Sequence, residues 1–196
     1  MSDYHSTMSN KPTILHKKTI ATSRLFRIES LEIQFSNGVQ RNYERLARGH
    51  SNGAVLIVPM LNDETVLLIK EYSAGVHRYE LGLPKGKVDE GESFLEAANR
   101  ELKEEVGYGA NRLHHLSTFS LAPAYLEYTT EIIVAQDLYA ERLLGDEPEK
   151  LEVIPWKLRD INELLMTGEC TEARSIAALF MTLEYLKEGA NLLTPT

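Results

Sequence analysis

One segment in the middle of the chain, from Ser93 to Gly107, carries start and stop signals for a helix. Ser93 and Glu96 have the spacing of a capping box, which satisfies free backbone N–H groups where a helix begins. Gly107 stands where a left-handed C-terminal cap is expected. Between the two ends, apolar residues are predicted to form a core-facing stripe: Leu95, Ala98, Leu102 and Val106. The fold must therefore provide an apolar layer against which this helix packs.

Three carboxylates lie beside that stripe on the same predicted helix, at Glu101, Glu104 and Glu105. Helical residues three and four positions apart are neighbours, and like charges so placed cost about 0.2–0.5 kcal/mol per pair in an isolated helix. A divalent cation would convert this repulsion into a binding site. Because the ligands are all oxygen atoms, Mg²⁺ or Mn²⁺ is favoured over Zn²⁺.

A solvated helix face is the alternative explanation of the three glutamates, with Arg100 and Lys103 as balancing charges. On the triplet alone, this alternative is favoured. The preceding loop, from Pro84 to Glu92, reverses the preference because it contains Gly86 and Gly91. Glycine has no side chain to obstruct a ligand, so the backbone of such a loop can approach one closely.

The rest of the sequence is mainly of strand type. Residues 13–48 form extended runs around an Asn37-Gly38 turn, which is a strong hairpin signal. Further strands are predicted at Ala54–Leu61, Val66–Tyr72, Tyr79–Leu83, Leu113–Leu121, Glu131–Leu138 and Leu151–Pro155. Two more helices are predicted, at Arg159–Met166 and Glu172–Lys187. The last helix has an apolar stripe of Ile176, Ala177, Phe180, Leu183 and Leu186. Strands mixed with two substantial helices indicate an α+β fold, or a mixed-sheet sandwich.

The net charge of −8 argues against a protein that grips nucleic acid by its phosphates, since that requires a basic face. An acidic protein can still act on an anionic substrate when a cation stands between them. No apolar run is long enough to span a membrane. The start of the chain lacks the apolar centre of a secretory signal, and Cys170 is the single cysteine. The expected location is the cytoplasm.

The segment from Gly86 to Tyr108 resembles the Nudix box, G-x5-E-x7-R-E-U-x-E-E-x-G-U, in which U is an aliphatic residue. All its fixed polar and glycine positions agree, and they are filled by Gly86, Glu92, Arg100, Glu101, Glu104, Glu105 and Gly107. Tyr108 is the one departure, in the last aliphatic position, where a packing side chain is expected. By this resemblance Arg100 is expected to orient a glutamate and Glu92 to brace the loop.

The whole chain resembles the ADP-compounds hydrolase branch, or NudE type, of the same superfamily. The resemblance rests on the order of short strings such as KPTIL, SRLF, FSNGV, VAQDLY and GDEPE. It implies a Nudix α/β/α sandwich, with a mixed sheet between helices and an additional N-terminal antiparallel β segment. It also implies metal-dependent hydrolysis of ADP-ribose, NADH and diadenosine polyphosphates into AMP and a second phosphorylated product.

Three parts of the chain are expected on this basis: a disordered leader at residues 1–11, a β-rich segment at 12–48, and the Nudix hydrolase domain at 49–196. By resemblance, the 12–48 segment helps to build a homodimer in which each subunit completes the substrate site of the other. The expected partners are therefore a small ADP-containing molecule and a second copy of the chain, with no nucleic-acid surface and no membrane.

The resemblance also implies which residues hold the metal. Glu101 and Glu105 are expected to be the principal ligands, and Glu104 to hold a second ion or an ordered water. The backbone carbonyl of Lys85, just before the first box glycine, is a further candidate ligand.

The general base is expected in the acidic segment from Gly145 to Glu149, because related ADP-ribose hydrolases place it on a loop well after the box. Glu147 is the first candidate, and Glu149 is the second candidate or an extra metal ligand. Two alternatives remain open: the segment is only a polar turn, or Glu104 activates the water directly.

Substrate contacts are expected near strand ends that face the pocket. Arg45, Arg78 and Glu80 are candidates there, since an arginine pairs with a phosphate through two hydrogen bonds. Tyr72 or Tyr125 is the candidate for stacking on adenine. An isolated arginine or tyrosine is more often structural.

Three functions remain in competition. The favoured one is an enzyme that cleaves several ADP compounds. A more restricted ADP-ribose pyrophosphatase is the main competitor within the enzyme class. A non-catalytic Nudix module that binds nucleotide as a sensor ranks last, because such modules commonly lose box glutamates and every one is present here.

Overall fold

The computed structural model describes residues 11–49 and 53–192, with side chains described as far as residue 187. The predicted leader at residues 1–11 therefore lies, except for Lys11, outside the described residues. The described chain divides into two compact units. The first unit holds residues 11–49 together with Ala122–Tyr128, and the second holds residues 53–121 and the described chain from Thr129 onward.

A three-stranded antiparallel sheet forms most of the first unit. Its strands lie in the order β1 (Thr13–Thr22), β2 (Arg27–Gln34) and β3 (Gln40–Leu46). Gly38 turns β2 into β3 with a φ of 82° and donates its N–H to the Phe35 carbonyl at 2.9 Å. Only glycine takes such a φ without steric cost, so the predicted Asn-Gly hairpin is confirmed.

The first unit is completed by a segment from much later in the chain, Ala122–Tyr128. The Leu46 N–H donates to the Tyr125 carbonyl at 2.8 Å, and the Leu46 carbonyl accepts from the Glu127 N–H at 3.0 Å. An ion pair of 3.0 Å joins Arg45 to Glu127. The end of β3 is thus paired with this segment on its backbone and through a side chain.

Seven strands form the sheet of the second unit. They are β4 (Ala54–Asn62), β5 (Thr65–Ser73), β6 (Arg78–Gly82), β7 (Lys85–Lys87), β8 (Tyr108–Ser120), β9 (Thr129–Ala140) and β10 (Glu152–Lys157). Their order is β10-β5-β4-β9-β8, with β6 paired to β5 and β7 paired to β4. The pair β4–β9 is parallel and the other pairs are antiparallel, so the sheet is mixed.

Helices cover both faces of this sheet. They are α1 (Phe94–Glu101), which continues as a π turn at Leu102–Val106, α2 (Ile161–Met166), which follows a 3₁₀ turn at Leu158–Asp160, and α3 (Ala173–Leu192). Val55 and Ile57 of β4 pack in the core with α1, whereas Leu56 and Val58 pack in the core with α2 and α3. The predicted α/β/α sandwich is therefore confirmed. Among residues 11–49 and 53–192, no helix combines the length and the apolar character needed to cross a membrane.

The predicted stripe of the last helix is wrong at two positions, because Ala177 and Phe180 are exposed. Ser175 and Ala178 are buried in their place. The partly buried residues of the stripe are Ile176, Leu183 and Leu186. Ser175 is buried there because its hydroxyl accepts a hydrogen bond from the Leu83 N–H at 3.1 Å. A ranking by hydrophobicity alone misses such a residue.

Three details around α1 also differ from the prediction. Leu95 is 40 % exposed, and Ala97 is buried in its place. The last turn of the predicted α-helix is a π turn, which no local propensity signals. Strand β8 begins at Tyr108 rather than Leu113, because Gly107, with a φ of 87°, turns the chain directly from the helix into the strand.

Candidate active site

The two ends of the predicted helix position the candidate site. The Ser93 hydroxyl accepts a hydrogen bond from the Glu96 N–H at 3.3 Å, and the Ser93 N–H donates to the Glu96 carboxylate at 2.8 Å. The predicted capping box is therefore confirmed. At the other end, the Gly107 N–H donates to the Leu102 carbonyl at 3.1 Å and closes the π turn that carries Glu104 and Glu105. Single π turns within helices are frequent at functional sites.

Gly86 lies against Glu101 at a distance that no other residue type permits. A Cβ built on Gly86 would lie 1.9 Å from Cδ of Glu101 and 2.0 Å from its Oε1. The neighbouring Lys85 N–H donates to Oε2 of Glu105 at 3.0 Å. Strand β7, which pairs Gly86 with Val55 of β4, thus places its backbone against both carboxylates.

Arg100 joins the glutamates of the helix to the loop before it. Its Nη1 donates to Oε1 of Glu101 at 2.8 Å and to Oε2 of Glu104 at 3.0 Å. Its Nε donates to Oε1 of Glu92 at 2.8 Å, and the Asp89 N–H donates to the other oxygen of Glu92 at 3.1 Å. One guanidinium therefore orients two carboxylates of the helix while Glu92 fixes the turn of the loop.

Two of these carboxyl groups are unusually basic because they are removed from water. Burial raises the pKa of Glu101 to about 7, although Arg100 opposes the shift. Burial also raises the pKa of Glu105 to about 8, although the charge and the backbone N–H of Lys85 oppose it. Desolvation of this kind penalises the charged form, and a nearby cation relieves the penalty.

The donor set fits a hard divalent cation. Glu101, Glu104 and Glu105 offer only oxygen atoms as ligands. The space between Gly86 and the carboxylate of Glu101 would be filled by the Cβ of any other residue at position 86. As the side chains of the described residues stand, no three acidic, histidine or cysteine groups converge on a point that could hold an ion. Arg100 takes one oxygen each of Glu101 and Glu104.

The acidic segment after β9 lies close to these glutamates. Besides burial, the charge of Glu147 contributes to the raised pKa of Glu101. Gly145 makes room for Glu147, since a Cβ there would lie 2.1 Å from Oε2 of Glu147. Glu149 accepts a hydrogen bond from the Tyr79 hydroxyl at 2.6 Å, and this bond raises the pKa of Tyr79. Of the two candidates for the general base, Glu147 is the one whose charge acts on Glu101.

Glu71 belongs to the same site, although the sequence analysis does not single it out. Its carboxylate pairs with Nζ of Lys85. Its charge adds to burial in raising the pKa of Glu105. The available signal is a charged residue near the end of the apolar run of β5, directly before Tyr72.

The start of α3 holds a second group that sequence reasoning misses. The Ser175 hydroxyl accepts a hydrogen bond from the Leu83 N–H at 3.1 Å. Glu172 accepts from the Ser175 N–H at 2.8 Å, and Arg174 donates to Glu172 at 2.6 Å and to the Thr130 hydroxyl at 3.1 Å. These bonds attach α3 to the chain just before β7, and hence to the backbone that meets the glutamates.

Three predicted substrate contacts lie together on β5 and β6. Arg78 donates from Nε to Oε1 of Glu80 at 2.5 Å. Glu80 also accepts from the N–H and the hydroxyl of Thr171, at 3.0 and 2.8 Å. Burial acts to raise the pKa of Glu80, but the bonds from Thr171 and Arg78 hold it below its usual value. The Tyr72 hydroxyl lies 2.5 Å from Nδ1 of His77.

The other two predicted contacts lie in the first unit. Arg45 pairs with the buried Glu29 at 2.9 Å as well as with Glu127. Tyr125 is 58 % exposed. Both line a cavity of about 220 Å³, and the other lining residues are Leu31, Ile33, Tyr43, Glu44, Pro123, Ala124, Leu126 and Glu127.

Two family profiles match the chain and together span most of it. The profile of the N-terminal domain of NudE-type Nudix hydrolases matches residues 12–45. The profile of the NUDIX domain matches residues 50–180.

Individual relatives agree with the profiles. The chain is 52 % identical to the ADP compounds hydrolase NudE of Escherichia coli, over 90 % of this chain and 94 % of that protein. It is 26 % identical to the ADP-ribose pyrophosphatase of Bacillus subtilis, over 84 % of this chain and 91 % of that protein. A crystal structure of an ADP compounds hydrolase superposes with a TM-score of 0.86 at 50 % identity, covering 94 % of this chain and 98 % of that one.

Proposed function

Since the chain belongs to the Nudix hydrolase family and carries the N-terminal domain of its NudE type, we propose that it hydrolyses the pyrophosphate bond of ADP-containing compounds. The substrates would be ADP-ribose, NADH and diadenosine polyphosphates, with AMP as one product. The relative in Escherichia coli, half identical in sequence, bears the name ADP compounds hydrolase. The observation that carries the proposal is the pair of buried carboxylates, Glu101 and Glu105, held against the backbone of β7.

A divalent metal ion is part of this proposal, since Nudix hydrolases generally need one, and we propose Mg²⁺ or Mn²⁺. Glu101 and Glu105 would hold it, with the carbonyl of Lys85 as a further ligand and Glu104 serving a second ion or an ordered water. Such an ion supplies positive charge to the phosphate oxygens and activates water for attack on phosphorus. Arg100 would orient Glu101 and Glu104, which is the position its hydrogen bonds give it.

Glu147 is our candidate for the general base. The attacking water would form a bond to one phosphorus, its proton would pass to the carboxylate of Glu147, and the bond from that phosphorus to the bridging oxygen would break. The effect of the Glu147 charge on the pKa of Glu101 supports this assignment. Glu149 ranks second because Tyr79 already donates to it. Glu104 is the remaining alternative.

For substrate binding we propose roles that follow from the partners of each side chain. Arg78 is half exposed, and it donates from Nε to Glu80 and from Nη2 to the Thr171 hydroxyl at 3.1 Å. Its Nη1 group is therefore the one we propose to bind phosphate, while Glu80 and Thr171 hold the guanidinium. Arg45 and Tyr125 are proposed as contacts at the cavity of the first unit. Tyr125 is the candidate there for stacking on adenine.

A homodimer is also proposed, with strand β1 as the surface that a second copy covers. Every described side chain of β1 is exposed, and they include Ile14, Leu15 and Ile20 at 45–48 % exposure. Exposed apolar side chains on an edge strand favour pairing with another chain. A monomeric mass in light scattering would contradict the dimer. We also propose a cytoplasmic location, since Cys170 is the single cysteine of the sequence and forms no disulfide within it.

A restricted ADP-ribose pyrophosphatase is the second candidate, favoured by the resemblance to the enzyme of that name in Bacillus subtilis. A non-catalytic sensor is less well supported, because every glutamate of the box is present and Glu101 and Glu105 are buried together.

Product analysis separates these candidates. Purified protein would be given ADP-ribose, NADH or diadenosine triphosphate, each with Mg²⁺, with Mn²⁺ or with chelator. Metal-dependent release of AMP from several substrates is the expected result. Release from ADP-ribose alone would narrow the enzyme to a pyrophosphatase, and no release from any of them would overturn the proposal.

A further inference from the structure

Tyr72 of β5 and Tyr79 of β6 form an exposed aromatic pair. The two residues are directly opposite each other on the antiparallel strands. Their ring centroids lie 5.8 Å apart with an interplanar angle of 69°, an edge-to-face arrangement. The residues remain 44 % and 49 % exposed. The pair therefore presents ring surface to solvent rather than to a core, and we call it the tyrosine shelf.

Both rings of the tyrosine shelf are held at their far ends. The Tyr72 hydroxyl lies 2.5 Å from Nδ1 of His77, and the Tyr79 hydroxyl donates to Glu149 at 2.6 Å. His77 has a φ of 54°, a left-handed conformation that costs free energy in a residue other than glycine. This conformation places the His77 ring edge-on to Tyr72, with 5.9 Å between the centroids. Aromatic side chains fixed in this way lose little conformational entropy when a planar ligand stacks on them.

The tyrosine shelf is connected to the candidate active site through the acidic segment after β9. Tyr79 binds Glu149, which lies two residues after Glu147 in the segment that carries the candidate base. The same short segment therefore carries the candidate base and holds one ring of the tyrosine shelf.

We propose that the tyrosine shelf stacks on the second base of a dinucleotide substrate, the nicotinamide of NADH or the second adenine of a diadenosine polyphosphate. The proposal rests on the proposed function and deepens it. A base that all substrates share is expected in a concave, largely enclosed site. An open shelf instead accepts rings of different size, because every base has a π face. ADP-ribose has no second base and would leave the tyrosine shelf in water.

The test compares substrates with and without a second base in Tyr72→Leu and Tyr79→Leu. We expect kcat/KM for NADH and diadenosine triphosphate to fall about tenfold, mainly through KM, while kcat/KM for ADP-ribose stays within about twofold. Tyr79→Phe keeps the ring and loses the bond to Glu149, so it should retain the wild-type ratio of substrates. Tyr185→Leu is the matched control, since Tyr185 stacks on His114 outside the site.

An equal loss of kcat/KM for all three substrates, or no loss for any, would overturn the proposed role of the tyrosine shelf. So would a wild-type enzyme that turns over ADP-ribose alone. A wild-type protein that turns over none of them would overturn the proposed function instead. Equilibrium dialysis then tests the shelf without turnover: reduced nicotinamide mononucleotide should bind about tenfold more weakly to Tyr72→Leu, with ribose 5-phosphate unchanged. Equal affinity of wild type and variant for reduced nicotinamide mononucleotide would overturn it.

Discussion

Replacing Gly86 by alanine should displace the carboxylate of Glu101. The new Cβ would lie 1.9 Å from Cδ of Glu101, whereas non-bonded carbon atoms stay about 3.5 Å apart. The carboxylate must therefore move by about 1.6 Å, because β7 is fixed by its pairing with the buried strand β4. A misplacement of about 1 Å costs on the order of 100-fold in rate, so Gly86→Ala should lose at least that much turnover.

The same clash has a cost in stability that a second substitution should cancel. Forcing an extra methyl group into a packed site typically costs about 1–3 kcal/mol, which we expect for Gly86→Ala in the wild-type background. The three atoms nearest to the new Cβ all belong to Glu101. In a Glu101→Ala background, Gly86→Ala should therefore change the free energy of unfolding by less than about 0.5 kcal/mol.

Two assays check this prediction. Urea unfolding in the presence of chelator measures the four stabilities of the double-mutant cycle, and AMP release with Mg²⁺ measures turnover. Gly75→Ala is the control, since a Cβ there would meet nothing within 4 Å and should change neither quantity. Equal stability losses in the two backgrounds, or wild-type turnover in Gly86→Ala, would refute the close approach of Gly86 to Glu101.

Three further perturbations follow from the site and its supports. Glu105→Gln should keep the fold and lower metal-dependent AMP release by more than about 100-fold, while the exposed Glu90→Gln keeps it; turnover retained by the first variant would remove Glu105 from the site. Ser175→Ala leaves the N–H of Leu83 without its acceptor and should lower the free energy of unfolding, measured in urea, by about 1–3 kcal/mol. An unchanged urea midpoint would contradict this prediction. Burial raises the pKa of the Cys170 thiol to about 11, so iodoacetamide at about pH 8.5 should modify it in urea but not in the native protein; equal rates by mass spectrometry would contradict this.

Features with a local cause could be predicted from the sequence. The capping box at Ser93 and Glu96 depends on four consecutive residues, and the Asn37-Gly38 turn depends on two. The alternation of strands and helices in the second unit likewise follows from the apolar runs and the turn residues between them. These signals sufficed for an α+β fold or a mixed-sheet sandwich, whereas the α/β/α arrangement was implied by the resemblance to the Nudix family.

Features that depend on the distance between elements could not be predicted. Ser175 is buried on α3 through its hydrogen bond with the Leu83 N–H, a contact that a ranking in favour of the more hydrophobic Phe180 does not reveal. The π turn after Glu101 follows from a single hydrogen bond to Gly107 rather than from any propensity. A sequence pattern does not encode such tertiary distances.

The candidate site likewise has features that could be predicted from the sequence and features that could not. The spacing of the helix glutamates could be read directly from the sequence, as could the residues next to them along the chain. The contact of Glu71 with Lys85 and that of Tyr79 with Glu149 join residues 14 and 70 positions apart. Such pairs are determined by strand register and loop path, so single-sequence reasoning names the residues without their partners.

The first unit is assembled from separate segments of the chain, and this matters when the unit is grafted onto another protein. Its strands end at Leu46, but the backbone partner of Leu46 comes from Ala122–Tyr128, inserted between β8 and β9. A segment that ends at residue 45, where the match to the N-terminal family profile ends, would lack that partner. A transplant that preserves the unit must therefore carry two pieces of chain, and a mismatched loop in the host would expose the edge of β3.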